Sequence, residues 1–185
     1  MITHKGTVPL ETARLRLRRF LLQDAQLMYQ NWASDERVTR FLTWTPHGSA
    51  EDTKALLKMW CGAYIAPDVY HWAMEFEGQP IGGINVVRKD DALKTAHLGY
   101  CMGFDWWNRG LMTEAAAEVT RYLTEEIGYE TLFISHAVGN PASGRVAQKC
   151  GYVYVGRSEI PFARGENGKI ELVNYAWKKK EKRTR

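Results

Sequence analysis

Between Ala96 and Gly128 the chain changes its hydrophobic period once, at a short polar turn. Leu98, Tyr100 and Met102 alternate with His97, Gly99 and Cys101, the two-residue repeat of a strand with two unlike faces. Leu111, Ala115, Val119, Tyr122 and Leu123 then recur at helical spacing, while Glu114, Glu118, Arg121 and Glu125 fall elsewhere on the wheel. The junction is Trp107-Asn108-Arg109-Gly110-Leu111-Met112-Thr113. A strand that enters a helix this way aims the helix's first free N–H groups, and the positive end of its dipole, beyond the strand's C-terminal edge. Such an array suits an anionic group, most simply a phosphate.

The flanking segments read as an α/β arrangement. Met1 to Thr12 reads as a loosely held lead-in, and Arg14 to Arg18 alternates strictly, with Leu15 and Leu17 inward and the arginines on a solvated face. Asp24, Asp35 and Ser49 are placed to cap three helices, with Asp52 completing a capping-box pattern after Ser49. Trp44 to Gly48 is a loop by composition. Tyr70 to Phe76 and Ile81 to Val87 form a hairpin about Glu77 to Pro80, and Gly82-Gly83 suggests a bulge or a close backbone approach.

After the long helix, Gly128 sits at a C-cap position and Leu132, Ile134, His136 and Val138 alternate on a further strand. Asn140, Pro141 and Gly151 start and stop another helix. Val153 and Val155 mark a strand, residues 165–168 a turn, and Ile170 to Trp177 a closing strand.

Composition narrows the function classes. With 185 residues, 45% apolar content and seven Trp, the chain suits one folded domain and not a disordered one. No apolar run reaches the ~20 residues of a membrane helix, and no export signal opens the sequence. Three scattered cysteines without a C-x-x-C pair fit reduced thiols in the cytoplasm and no metal site. The net charge of +4 is concentrated in the last eight residues, Lys178 to Arg185. That tail reads as a solvated end and not as an RNA-binding arm, so nucleic acid is not an expected partner.

Gly99-Tyr100, the run from Trp107 to Ala115, Asn140-Pro141-Ala142-Ser143 and Lys149-Cys150-Gly151-Tyr152 stand in an order that resembles the GNAT superfamily of acetyl-CoA-dependent N-acetyltransferases. Within it the likeness is greatest to the branch that acetylates N-termini of ribosomal proteins, and it spans about Arg14 to Trp177. The resemblance implies a single domain over residues 1–185, of α/β (α+β) class. Its sheet is mixed, mostly antiparallel and twisted, with a central parallel pair and helices on both faces. It implies acetyl-CoA as co-substrate, an amine as acceptor, direct attack without a covalent acyl-enzyme, and a homodimer as an expectation of the family alone.

Residue by residue, the resemblance assigns the diphosphate to the turn formed by Trp107, Asn108, Arg109, Gly110, Leu111, Met112 and Thr113. Trp107 stands where the family has Gln or Arg, Asn108 where it has Gly, and Met112 where it has Gly or Ala. Met112, adaptable and beside the apolar stripe, is expected to point into the core. The pantetheine arm pairs with main-chain groups near Tyr100 and Met102 like an added strand. Asn140 lies by the pantetheine, although capping a helix would equally account for it. Ser143 contacts the cofactor and can give a proton to the leaving sulfur.

His97 is the candidate base, with Glu75 and Tyr100 as rivals. Phe41, Trp44 and Tyr64 are candidate walls of the acceptor groove, and Glu75 a further substrate-side residue. Three functions stay open: acetylation of a protein or peptide α-amine, acetylation of a small amine such as a polyamine or antibiotic, and a catalytically silent CoA-binding or RNA-associated module.

Overall fold

The structure is a computed structural model that describes residues 1–179, so Lys180 to Arg185 of the basic tail lie outside it. Eight strands form one sheet in the order β1-β2-β3-β4-β5-β6-β8-β7. They are β1 (Leu10–Glu11), β2 (Arg16–Arg18), β3 (His71–Phe76), β4 (Gln79–Asp90), β5 (Thr95–Met102), β6 (Thr131–Ala137), β7 (Val153–Pro161) and β8 (Lys169–Lys178). Every pairing is antiparallel except that of β5 with β6. The expected mixed sheet with one central parallel pair is therefore present.

Five helices cover the two faces. α1 (Ala25–Met28) runs on into a π turn over Tyr29–Ala33, and α2 (Glu36–Thr39) and α3 (Ala50–Ala63) follow before β3. α4 (Leu111–Arg121) also ends in a π turn, Tyr122–Ile127, and α5 (Pro141–Lys149) precedes β7. Trp72, Met74, Leu98, Leu132 and Ile134 pack with Leu111, Ala115, Ala116, Val119 and Leu123 into the larger core, on the α4 side. Phe20, Met28, Trp32, Leu57 and Ala73 make the smaller core, under α1 and α3. Each large apolar side chain so buried contributes about 1.5–3 kcal/mol.

The caps follow the sequence in two places and depart from it in one. Asp35 accepts from the Arg37 N–H at 2.8 Å, and Ser49 accepts from the Asp52 N–H at 3.1 Å. Asp24 does not cap α1. It lies within a 3-10 turn, Leu22–Asp24, accepts from the Leu21 N–H at 2.8 Å, and pairs with Arg18.

Two further expectations are corrected, and one left as an alternative is decided. The lead-in is tied down: the Thr3 N–H donates to Ile127 O (3.0 Å), Tyr122 Oη to Gly6 O (2.9 Å) and Thr7 Oγ1 to Val69 O (2.9 Å). Arg18 is not on a solvated face, since its guanidinium bridges Asp24 (2.7 Å) and Glu75 (2.5 Å) with its side chain mostly buried. The bulges in β4 fall at Ile81, next to the Gly82-Gly83 pair, and at Val87, farther along the strand. Gly82 instead marks a close approach, where a Cβ would collide with Cys101 O and reach 2.8 Å from Met102 Cα.

This contrast gives a stability test. Gly82→Ala should cost about 1–3 kcal/mol in urea unfolding, because backbone atoms on β5 cannot yield. Gly62→Ala, exposed on α3 with nothing within 4 Å of the new methyl, should gain about 0.5–1 kcal/mol. Equal effects of the two substitutions would contradict the assigned packing.

Candidate active site

The parallel pair does not run the full length of its strands. β5 and β6 are in register from Thr95↔Thr131 to Leu98↔Ile134 and no further, although β5 continues to Met102 and β6 to Ala137. Beyond Leu98 the two strands part. Gly103 N–H donates to Ile81 O on the β4 side at 2.8 Å. Main-chain groups alternate in direction along a strand, so those of Tyr100 and Met102 face the opening. Met102 O accepts from the Trp107 indole N–H at 2.7 Å. The register of β5 with β6 ends at Leu98↔Ile134, so Tyr100 and Met102 have no paired residue on β6. An amide-bearing chain laid there would meet a donor and an acceptor already spaced as in a sheet.

The turn at the end of β5 leads into α4 through two left-handed residues, Asn108 (φ 59°) and Gly110 (φ 77°). The first N–H to join the α4 ladder is that of Glu114, onto Gly110 O at 3.1 Å. Among the described residues, the amides from Asn108 to Thr113 donate to no other protein atom. Met112 is 5% exposed and packs in the larger core with Leu111, so its long side chain is directed away from these amides. Arg109 lays its guanidinium 4.8 Å from the centre of the Phe76 ring. Free amides, a helix dipole and a clear approach fit an anionic diphosphate.

On the far bank of the opening, Asn140 caps α5 by accepting from the Ser143 N–H at 3.4 Å. Tyr100 crosses to the same helix: its Oη lies 3.0 Å from Ser143 Oγ and 3.1 Å from Ser143 O. Burial raises the Tyr100 pKa above its ordinary 10, so its hydroxyl keeps its proton at neutral pH. Tyr100 and Ser143 therefore form a protonated hydroxyl pair at the mouth of the parted strands.

A family model described as an acetyltransferase (GNAT) domain matches residues 14–153. The chain belongs to the GNAT acetyltransferase family. This GNAT enzyme is 24% identical over 136 residues to the Bacillus subtilis protein YdaF, whose name marks it as an unconfirmed ribosomal N-acetyltransferase; the match covers 72% of this chain and 73% of that protein. Two solved structures share its fold at low identity. One is the microcin C7 self-immunity acetyltransferase MccE in complex with acetyl-CoA and AMP, with TM-score 0.78, 18% identity, and coverage of 96% of this chain and 98% of that one. The other is RimL, a ribosomal L7/L12 α-N-protein acetyltransferase in complex with coenzyme A, with TM-score 0.79, 17% identity, and coverage of 92% and 98%. Acetyl-CoA is the co-substrate of this GNAT enzyme.

The GNAT enzyme's opposite face, under α1 and α3, receives the remaining candidates unevenly. Phe41 reaches the opening, since a Cβ at Gly139, just after β6, would lie 3.0 Å from its ring. Trp44 packs against the smaller core with its ring 5.4 Å from that of His47. Its carbonyl accepts from Arg164, which also donates to Thr39 O and Leu42 O, so the β7–β8 loop clamps the segment between α2 and α3. Tyr64 is buried beneath α3, where its hydroxyl accepts from the Phe20 N–H (3.0 Å) and donates to His71 O (2.8 Å).

Glu75 is not brought to the opening either. It lies on β3, two strands from β5, in its ion pair with Arg18. His97 sits below the point of parting, stacked 4.7 Å from Phe133, with Nε2 facing Arg88 Nη2 at 2.8 Å. Burial first, and the Arg88 charge second, hold its pKa below the ordinary 6.5.

What the sequence reading missed is Arg14, whose guanidinium donates to Arg109 O at 3.0 Å. Its neighbour in the turn is 95 residues away, and no local pattern announces it.

The direction of Met112 is open to a direct check. Met112→Ala should lower stability by about 2–5 kcal/mol through a core cavity while changing the acetyl-CoA dissociation constant less than about twofold. A variant that binds acetyl-CoA more than tenfold tighter, with little loss of stability, would mean that Met112 obstructs the turn.

Proposed function

We propose that this GNAT acetyltransferase acetylates the α-amine of a protein or peptide. The main-chain amides of residues 108–113 hold the diphosphate, and Tyr100 and Met102 pair with the pantetheine arm. The thioester is thereby led between β5 and β6 toward Ser143. As the amine nitrogen bonds to the acetyl carbon and the carbon–sulfur bond breaks, Ser143 supplies a proton to the sulfur and regains the one the nitrogen sheds, with Tyr100 Oη stabilising its hydroxyl. Asn140 has a side-chain amide free to donate beside the arm, in addition to its capping role.

The observation that carries the acceptor class is the exposure of the acceptor face. Gly99 has no side chain, Val87 beside it is 62% exposed, and Ser135 on β6 is exposed. Small-molecule sites enclose most of their ligand, whereas an extended chain needs an open trough. The likeness to YdaF and RimL points the same way. The likeness to MccE keeps a small-amine acceptor as the second reading. The experiment is intact-mass detection of a 42 Da gain on a peptide panel with free α-amines. The same peptides with blocked N-termini and an internal lysine, and polyamines, run in parallel. Acetylation confined to the polyamines would overturn the α-amine reading.

Two kinetic outcomes follow. Ser143→Ala should lower kcat roughly 10²-fold with little change in the acetyl-CoA KM. In pH profiles, a His97 with a depressed pKa stays neutral from its lowered value upward, so no inflection near 6.5 is expected. Instead kcat/KM should rise tenfold per pH unit as the acceptor loses its proton and level off near about 8, the range of an α-amine; a rise continuing toward about 10 would indicate a lysine or polyamine.

A further inference from the structure

The first turn of α4 carries a carboxylate, Glu114, close to the place where an anion is to be bound. Left free, it would oppose a diphosphate at the helix N-terminus. It is not free. Its Oε1 accepts from Thr12 Oγ1 (2.5 Å) and the Arg14 N–H (2.8 Å), and its Oε2 accepts from Arg14 Nε (2.8 Å) and Nη2 (2.7 Å). Partial burial pushes the Glu114 pKa up, but these bonds outweigh it and hold the group below 4.5, ionised and occupied.

The same guanidinium reaches into the turn from behind. Arg14 Nη1 donates to Arg109 O at 3.0 Å, and Nη2 lies 3.6 Å from where a Gly110 Cβ would stand. In a planar trans peptide the carbonyl and the following N–H point in opposite directions. Holding Arg109 O on the Arg14 side therefore turns the Gly110 N–H toward the ligand side. A cation on the carbonyl also polarises that peptide unit and strengthens its N–H as a donor.

We propose that Arg14 is a positioning residue for the acetyl-CoA diphosphate: it neutralises Glu114 and fixes the Arg109–Gly110 peptide so that the turn's amides converge on the anion. This rests on the turn holding the diphosphate. Arg14 itself lies behind the turn and touches no reacting atom. Thr12 completes the arrangement by sharing Glu114 Oε1 with the Arg14 N–H and, through Leu15, anchoring the β1–β2 connection: Thr12 Oγ1 accepts from the Leu15 N–H at 2.9 Å. The segment before β2, the farthest edge of the sheet, is thereby connected to the central site.

The test compares two donors that differ in the diphosphate, acetyl-CoA and S-acetylpantetheine. Each is measured by calorimetric binding, directly or by competition, on the full chain and on Arg14→Ala, Arg14→Lys and Glu114→Gln. Arg14→Ala should weaken acetyl-CoA about 10- to 30-fold and acetylpantetheine less than twofold, with Arg14→Lys between wild type and Ala because an ammonium cannot serve carboxylate and carbonyl together. Glu114→Gln, which keeps the side-chain shape and removes the opposing charge, should weaken acetyl-CoA less than Arg14→Ala does. A loss shared equally by both donors would assign Arg14 a purely structural role and overturn the inference. So would an unchanged preference for acetyl-CoA in Arg14→Ala. If the wild-type protein binds the two donors alike, it is the diphosphate reading itself that fails.

Discussion

The site depends on two strands ceasing to pair. Parallel neighbours that stayed in register to the ends of β5 and β6 would consume the main-chain groups of Tyr100 and Met102, leaving no edge inside the sheet. Because pairing stops at Leu98↔Ile134, a polar edge is opened in the middle of the sheet, where strands otherwise pair on both sides. Unpaired amides away from water carry a cost, so a gap of this kind persists only if water or a ligand satisfies it and the flanks hold it open.

The flanks do so on both faces. On one, α4 and α5 pack on each other and on β5 and β6 through Leu98, Ile134, Ala147 and Tyr152, and the Thr120–Tyr152 hydroxyl pair at 2.8 Å ties the segments together. On the other, Phe41 fills the space at Gly139 and Arg164 binds three carbonyls between α2 and α3. The second contact joins the β6–β8 portion to the helices that cover β1–β5. Any movement that widened the gap would have to break these carbonyl bonds, whose donor is charged and therefore stronger than a neutral amide. The opening is thus held by the larger core on the face of α4 and α5 and by a loop on the face of α1 and α3.

How much of this was legible depended on distance along the chain. The β5–turn–α4 unit, the Asp35, Ser49 and Asn140 caps and the inward course of Met112 were all readable. Each is set by neighbours within a few residues, through period, capping or the width of an apolar stripe. The tethering of Met1 to Thr12 was not, since its partners Val69, Tyr122 and Ile127 lie 62 or more residues away. Arg18 and Glu75 looked like a solvated arginine and a groove carboxylate for the same reason. Each has an ordinary local setting, and only the pairing of β2 with β3 shows them to be partners. The Gly82-Gly83 pair left a bulge and a close approach both open; Gly82 makes the close approach, and the bulges fall at Ile81 and Val87, where the register of three strands decides.

The state of the titratable groups bears on the acceptor. His97 has Nε2 engaged with Arg88, Glu75 is committed to Arg18, and Tyr100 keeps its proton, so none of the three candidate bases offers a free lone pair of high basicity at the opening. A site without a strong base depends on the acceptor's own neutral fraction. At pH 7 an α-amine of pKa about 8 is one unit from neutrality, roughly 1.4 kcal/mol, whereas a lysine of pKa about 10.4 is 3.4 units away, roughly 4.6 kcal/mol. The difference, about 3 kcal/mol or a factor of more than a hundred in rate, would have to be supplied by proton removal that this arrangement does not favour. Electrostatics thus supports the same acceptor class as the open trough does, and the two arguments are independent: one concerns the shape of the face beyond Gly99, the other the protonation of the groups around it.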